Sequence, residues 1–216
     1  MKERIQNNNY YFSVEGETEV LYFKHLQKLI REVESRKANP VIRVEKIRPV
    51  SFSKKISIIR PCPVVAVYDV EDDDEEHKNR FTSILKEMKD VETSGKSIKF
   101  ELGYSNIDFE LWIILHKKDL FGFVGSKNQY LTHINQVFET KYEGLKEYKQ
   151  ETNFSRILTK ITLDDVKSAI ARAEKIMKQR KSESSLQKSY GYEWCEKNPS
   201  LSIHTAVRKI LIECGV

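Results

Sequence analysis

The residues best placed to do chemistry are acids that stand where apolar segments stop. Val64-Val65-Ala66-Val67-Tyr68 is a continuous apolar run that halts at Asp69-Val70-Glu71-Asp72-Asp73-Asp74-Glu75-Glu76. Such a run reads as a strand covered on both faces. A carboxylate directly behind it is expensive to desolvate without a partner. Asp69 and Glu71 are separated by one residue, so in an extended segment both point to the same side. Two adjacent carboxylates repel unless a hard cation lies between them, and Mg²⁺ prefers a few carboxylates, waters and phosphate oxygens. Glu15 and Glu19 follow a second β-favouring run, Tyr10 to Val14, and could complete that shell. Glu110 stands between Phe109 and the apolar Leu111 to Leu115. Such an acid wants a cation, a donor or the dipole of a helix N-terminus. Asp74, Glu75 and Glu76 read instead as a solvated helix start.

These acids need elements that bring them together. Residues 10–14, 41–47, 64–68 and 98–102 read as strands. Helical periodicity follows the first, with Val20, Phe23, Leu26, Ile30 and Val33 on one face and Thr18 as N-cap. A short basic helix is expected from Ser53 to Ile59, and a polar one from His77 to about Asp90. Ser105-Asn106-Ile107-Asp108 has the spacing of a capping box opening an apolar helix, Phe109 to His116. Alternating strands and helices predict an α/β fold with a mostly parallel sheet covered on both faces. In such sheets the carboxyl ends of the strands gather distant residues. Beyond residue 117 the pattern turns helical, near 127–142, 163–180 and 200–213, with Thr162 and Asp165 as a cap signal. Residues 181–199 look loop-like. The expected organisation is a core over 1–117 and a basic, mainly helical extension over 118–216.

Composition narrows the function classes. The chain has 216 residues, 39% hydrophobic and 32% charged, which suits a soluble globular protein with a sizeable core. No run approaches the roughly 18 apolar residues of a membrane span, and the polar start shows no signal peptide. Cys62, Cys195 and Cys214 form no CxxC pair, so reduced thiols in a cytoplasm are expected. The net charge of +5 is unevenly placed: residues 1–110 carry 19 Lys/Arg against 20 Asp/Glu, and the remainder 18 against 12. An acidic metal site in front and a polyanion-facing surface behind would produce this split, as would ordinary solubility. The back half alternates bases with aromatics: Tyr142, Lys146, Tyr148, Lys149, Phe154, Arg156 and Lys160, then Lys188, Tyr190, Tyr192 and Trp194. That pattern suits single-stranded or looped RNA, or else a solvated basic surface with partly buried rings. His204, on the last amphipathic segment, is either a packed helix histidine or a group for proton transfer or phosphate contact.

Four segments carry a family resemblance. Val14-Glu15-Gly16-Glu17-Thr18-Glu19 resembles the VEGxTE signature of TOPRIM domains, and Tyr68-Asp69-Val70-Glu71 their DxD motif. Ser105-Asn106, Phe109-Glu110-Leu111-Trp112 and His116 resemble the SNxxFELWxxLH segment of RloB-like proteins, and Asn198-Pro199-Ser200 with His204 their NPSxxxH ending. The matches lie in order across nearly the whole chain. The resemblance implies a TOPRIM (Rossmann-like) fold and Mg²⁺- or Mn²⁺-dependent phosphodiester chemistry. It implies acid/base and metal roles for Glu15, and metal binding by Asp69 and Glu71. Through the related OLD-type nucleases it adds Glu19, Ser105 and Glu110 to the metal shell. Glu71 departs from the family's Asp, so Asp72 or Asp73 could serve in its place. The resemblance further implies a role in phage defence by abortive infection, with an ABC- or AAA-type ATPase encoded alongside.

The expectation is therefore a metal-dependent nuclease acting on RNA such as tRNA, or on DNA, with Glu15, Asp69, Glu71 and His204 as catalytic residues. The ligand candidates are Glu15, Glu19, Asp69, Glu71, Asp73, Ser105 and Glu110. The rival reading is a non-catalytic TOPRIM-like subunit that binds nucleic acid or an ATPase partner. Gly95-Lys96-Ser97 resembles the end of a P-loop, but Asp90 stands where its first glycine belongs.

Overall fold

The computed structural model describes residues 5–56, 62–70, 75–183 and 185–216. Its main sheet has the order β2-β1-β3-β4-β7, built from β1 (Gln6–Val14), β2 (Ala38–Glu45), β3 (Cys62–Asp69), β4 (Ile98–Asn106) and β7 (Ser200–Leu201). The first four strands are parallel, and β7 joins β4 antiparallel. The mostly parallel α/β sheet with flanking helices and a helical C-terminal region agrees with the sequence reading.

β3 is apolar throughout because each face meets a separate core. Val65 and Val67 pack with Phe12, Val14 and Phe23, whereas Val64, Ala66 and Tyr68 pack with Phe81, Leu85 and Tyr104. On the first face lies α1 (Glu17–Glu32), with Val20, Phe23, Leu26 and Ile30 buried at helical spacing. On the second lie α2 (Pro49–Lys55) and α3 (Glu75–Thr93), through Phe52, Phe81, Ile84, Leu85 and Met88. The chain leaves β1 to one side for β2, then crosses back to β3. The β1/β3 boundary is therefore the topological switch point, where open α/β sheets form a crevice at the strands' carboxyl ends.

α4 (Glu110–Leu115), α5 (Lys127–Phe138), α6 (Leu145–Tyr148), α7 (Glu151–Thr159), α8 (Leu163–Ser182) and α9 (Ile203–Cys214) follow. Each of these six helices contributes to the α1-side core, and α8 also gives Met177 to the other core. Thus the fifth strand and last helix of the sheet assembly come from the segment expected as an extension.

Three local expectations are corrected. Residues 181–199 are not merely a loop: β5 (Leu186–Ser189) and β6 (Tyr192–Cys195) form a hairpin. Its turn, Tyr190 (φ 52°) and Gly191 (φ 92°), holds both residues in the left-handed region that two-residue hairpin loops require. Ser105 does not open a helix, because β4 extends through Asn106 and pairs Ser105 with Asp69 and Leu201. Gly16, not Thr18, is the N-cap of α1. The Thr162–Asp165 capping box is present as expected. Of the expected basic helix, residues 57–59 lie outside the described segments.

Candidate functional site

The first and third strands end side by side, and their acids meet. Glu15 N–H donates to Val67 O at 3.2 Å, and Asp69 N–H donates to Glu15 Oε2 at 3.2 Å. Arg80 of α3 reaches over to Glu15 Oε1 at 2.6 Å. One turn into α1, Glu19 is 2% exposed and its Oε2 accepts from Thr18 Oγ1 at 2.7 Å. Gly16 makes this possible: a Cβ there would stand 2.8 Å from Glu19 Oε2. The Gly of the Val14–Glu19 motif therefore leaves room for a carboxylate and answers no backbone strain, since its φ is −127°.

β4 supplies the other side. Asp108, just past its end, is 2% exposed and accepts from Phe109 N–H at 2.9 Å. Glu110, first residue of α4, is fully buried. Lys149, delivered by α6, places its Nζ 3.2 Å from Asp108 Oδ2 and 3.2 Å from Glu110 Oε1. Lys127 stands 3.7 Å from Asp108. Glu15, Glu19, Asp69, Asp108, Lys46, Lys127 and Lys149 line a cleft of about 310 Å³.

The cluster shares its charge unevenly. Burial raises the carboxyl of Asp69 well above its usual range, and the charges of Asp108, Glu19 and Glu15 push the same way. Burial raises Glu19 too, and burial followed by the Asp108 charge raises Glu110. Asp108 goes the other way. Burial opposes its charge, but hydrogen bonding with Glu110, the Lys149 ammonium, hydrogen bonding with Asp69 and Lys127 hold it below the ordinary carboxylate range. Burial likewise opposes the Lys149 ammonium, and Glu110, Asp108 and Asp69 outweigh it, so that its pKa is raised. Asp108 is thus the acid of the cluster whose charge is favoured, beside the Lys149 ammonium, while that of Asp69 and Glu110 is disfavoured.

Glu15, Glu19, Asp69 and Glu110 are therefore brought to one strand edge. Ser105 pairs with Asp69 in register, and its Oγ is buried without a hydrogen-bond partner. Glu71 and Asp73, with Asp72, lie outside the described residues. His204 is not brought to the cleft: it starts α9 after β7 and lines a separate groove against α8. His116 is structural. Its Nδ1 pairs with Trp112 O at 2.8 Å and its Nε2 with Tyr22 OH at 3.2 Å. Tyr22 also meets Phe109 and Trp112 edge-on. The Phe109–His116 motif therefore clamps α1 to α4 and fixes where Glu19 and Glu110 stand.

Asp108, Lys149, Lys127 and Lys46 were missed as site residues. Asp108 stands two positions before Glu110, where its spacing from Ser105 suits a helix cap equally well. Lys149 looked like one base among several, and only the turn of α6 aims it at the acids. The stacking reading fails for Tyr148 and Phe154, which are fully buried core rings.

The donors are all oxygens, as a hard divalent cation requires, and Ser105 holds a buried oxygen without a hydrogen-bond partner. The residues fit Mg²⁺ in their chemistry. Among the described residues, however, no three His, Cys, Asp or Glu side chains stand together closely enough to hold an ion. Lys149 bridges Asp108 and Glu110 instead.

No described helix is long and apolar enough to cross a membrane. Neither the curated proteins nor the solved structures contain a match to this chain. The sequence model described as RloB-like protein matches residues 10–210, spanning every strand end that feeds the cleft. On that match the chain belongs to the RloB-like protein family.

Proposed function

We propose that this RloB-like protein is a divalent-metal-dependent nuclease of the cytoplasm, an effector of phage defence with the carboxylate cleft as its active site. The observation that carries the reading is the convergence of Glu15, Glu19, Asp69, Asp108 and Glu110 at the β1/β3 switch point, with lysines in the same cleft. Glu19, Asp69, Ser105 and Glu110 would hold Mg²⁺ or Mn²⁺, with Glu71 and Asp73 from the adjoining segment. The ion supplies Lewis-acid stabilisation of the phosphoryl oxygens.

The protein's own groups do the rest. Glu15, oriented by the Asp69 N–H and Arg80, takes the proton as water attacks phosphorus. The new P–O bond replaces the bond to the leaving oxygen, which is protonated from solvent. Lys127 and Lys149 pair with phosphate oxygens once substrate enters, and Lys149 gives up Asp108 and Glu110 as it does so. The substrate is a strand with unpaired bases, RNA such as tRNA ahead of DNA. In support, Phe123 is 76% exposed on the loop that leads to Lys127. Base stacking on exposed aromatics is tolerant of sequence.

A second reading is a non-catalytic subunit that binds nucleic acid or an ATPase partner. The bridge from Lys149 to Asp108 and Glu110 favours it, since a cluster already neutralised needs no ion. One assay separates the two. Purified protein is incubated with Mg²⁺ or Mn²⁺ and plasmid DNA, single-stranded DNA or total tRNA, with EDTA and a folded Asp69→Asn variant as controls. Cutting lost in both controls supports the nuclease. Full activity in the variant sinks the assignment. Binding without cutting, with or without the neighbouring ATPase, supports the subunit.

A further inference from the structure

The groove between α8 and α9, about 640 Å³ in volume, is of a size common for small-ligand pockets. His204, Arg208 and Ile212 succeed one another at four-residue steps along α9, so they share one face. Lys178 and Lys181 face them from α8. His204 is 6% exposed, and its Nδ1 is buried with no hydrogen-bond partner. A buried ring nitrogen left unpaired is uncommon and asks for an explanation.

The charges around it are out of balance. Arg208 is paired with Glu174 at 2.8 Å. Lys178 and Lys181 make no ion pair or side-chain hydrogen bond among the described residues. Lys181 and Arg208 lie near enough to His204 to act on its charge. Cations gathered over an uncharged imidazole repel one another, and an anion between them relieves that repulsion. Glu174 and Glu213 on the rim offset only part of it. Beside the cations Ile212 is 66% exposed, an apolar platform at the end of the same stripe.

We propose that this groove is a second ligand site, for a phosphate ester of a nucleoside. The phosphate sits between Lys178, Lys181 and Arg208 over His204, and the nucleoside lies along Ile212. The free nucleotide and a nucleotide within a strand share this chemistry. The site is distinct from the carboxylate cleft and does not depend on the nuclease reading, because it binds without metal.

The test uses the full chain with ¹⁵N-labelled histidine and no divalent metal. Inorganic phosphate, AMP, a ten-residue oligoribonucleotide and a glutamate-rich peptide are titrated in turn, and the His204 ring nitrogens are followed. AMP should shift them, more tightly than phosphate does, and leave His25, His77, His116 and His133 unmoved. Lys181→Glu, at an exposed position, should weaken AMP at least tenfold, and Asp69→Asn should leave it unchanged. A tighter hold on AMP assigns the free nucleotide, and a tighter hold on the oligomer a strand. The proposal is overturned if neither AMP nor the oligomer moves His204, if Lys181→Glu binds them as the native chain does, or if only the peptide binds.

Discussion

The carboxylate cleft and the α8/α9 groove solve opposite electrostatic problems. In the cleft, Glu19, Asp108 and Glu110 are buried with Glu15 and Asp69 half-buried beside them, and two lysines from the C-terminal half compensate the cluster internally. In the groove, His204 is buried beneath cations of which Lys178 and Lys181 make no ion pair among the described residues, while Arg208 pairs with Glu174. The difference shows that the basic excess of the back half does two jobs. Before substrate enters, Lys127 and Lys149 hold the acid cluster together, whereas Lys178 and Lys181 make no ion pair among the described residues. A compensated cluster keeps its shape before its ligand arrives; an uncompensated one is stabilised by the ligand itself.

The sharpest way to break this comparison is Gly16→Ala. The added Cβ meets only the far end of a flexible side chain, Glu19 Oε2 at 2.8 Å, so the fold tolerates it. The carboxylate must nevertheless move. Cleavage should fall about 10- to 100-fold, the range seen when the support of a metal ligand is lost, with the melting temperature nearly unchanged. AMP binding in the groove should not respond. A variant that cuts normally would show that Glu19 has no part in the site.

Lys149→Met comes next. It leaves Asp108 charged and buried without its main partner. Breaking a fully buried pair costs about 3–5 kcal/mol. Because the Lys149 side chain is 36% exposed, about 2 kcal/mol is expected by chemical denaturation at pH 7. Mg²⁺ should stabilise this variant more than the native chain, since the ion no longer competes with an ammonium. Equal stabilisation by Mg²⁺ in both would mean that the ion binds elsewhere.

The smallest effects are in pH. Glu110 has a raised pKa in the folded state, so the fold binds its proton more readily than the unfolded chain does. Its contribution to stability is therefore lost as pH rises above the unfolded value of 4.5. His204 is lowered to about 4, by burial first and then by Lys181 and Arg208. Its contribution is lost as pH falls from 6.5 towards 4. Glu110→Gln should flatten the first dependence and His204→Gln the second, each by at most about 1.4 kcal/mol per pH unit. Denaturation at pH 4.5, 5.5 and 7 would measure both. Identical slopes in native and variant chains would deny the burial argument at that residue.

Much of the frame was legible in the chain itself. The apolar run at Val64 to Tyr68 required a strand covered on both sides, and the α1 periodicity required a helix behind β1. These patterns are local, an unbroken apolar run and a repeat of three to four residues, so sequence alone displays them. The β5–β6 hairpin was passed over because its polar, largely exposed strands bury little and carry no apolar alternation. β7 was invisible for a different reason: two residues have no periodicity, and only pairing with Ser105 and Asn106 makes them a strand.

The site divides along the same line. That Glu15, Glu19, Asp69 and Glu110 stand at the ends of apolar segments is a property of the sequence, because an acid beside buried residues must find a partner. Which partner it finds is a property of the tertiary structure. The order β2-β1-β3-β4 decides that Glu15 meets Asp69, and the α6 turn decides that Lys149 reaches Asp108 and Glu110. His204, the second residue of α9 just past β7, faces α8 across the groove and not the acids it is expected to join. Short-range pattern fixes an element and its buried face; the meeting of charges from distant segments depends on strand order and on the angle of each connection, which no local pattern encodes.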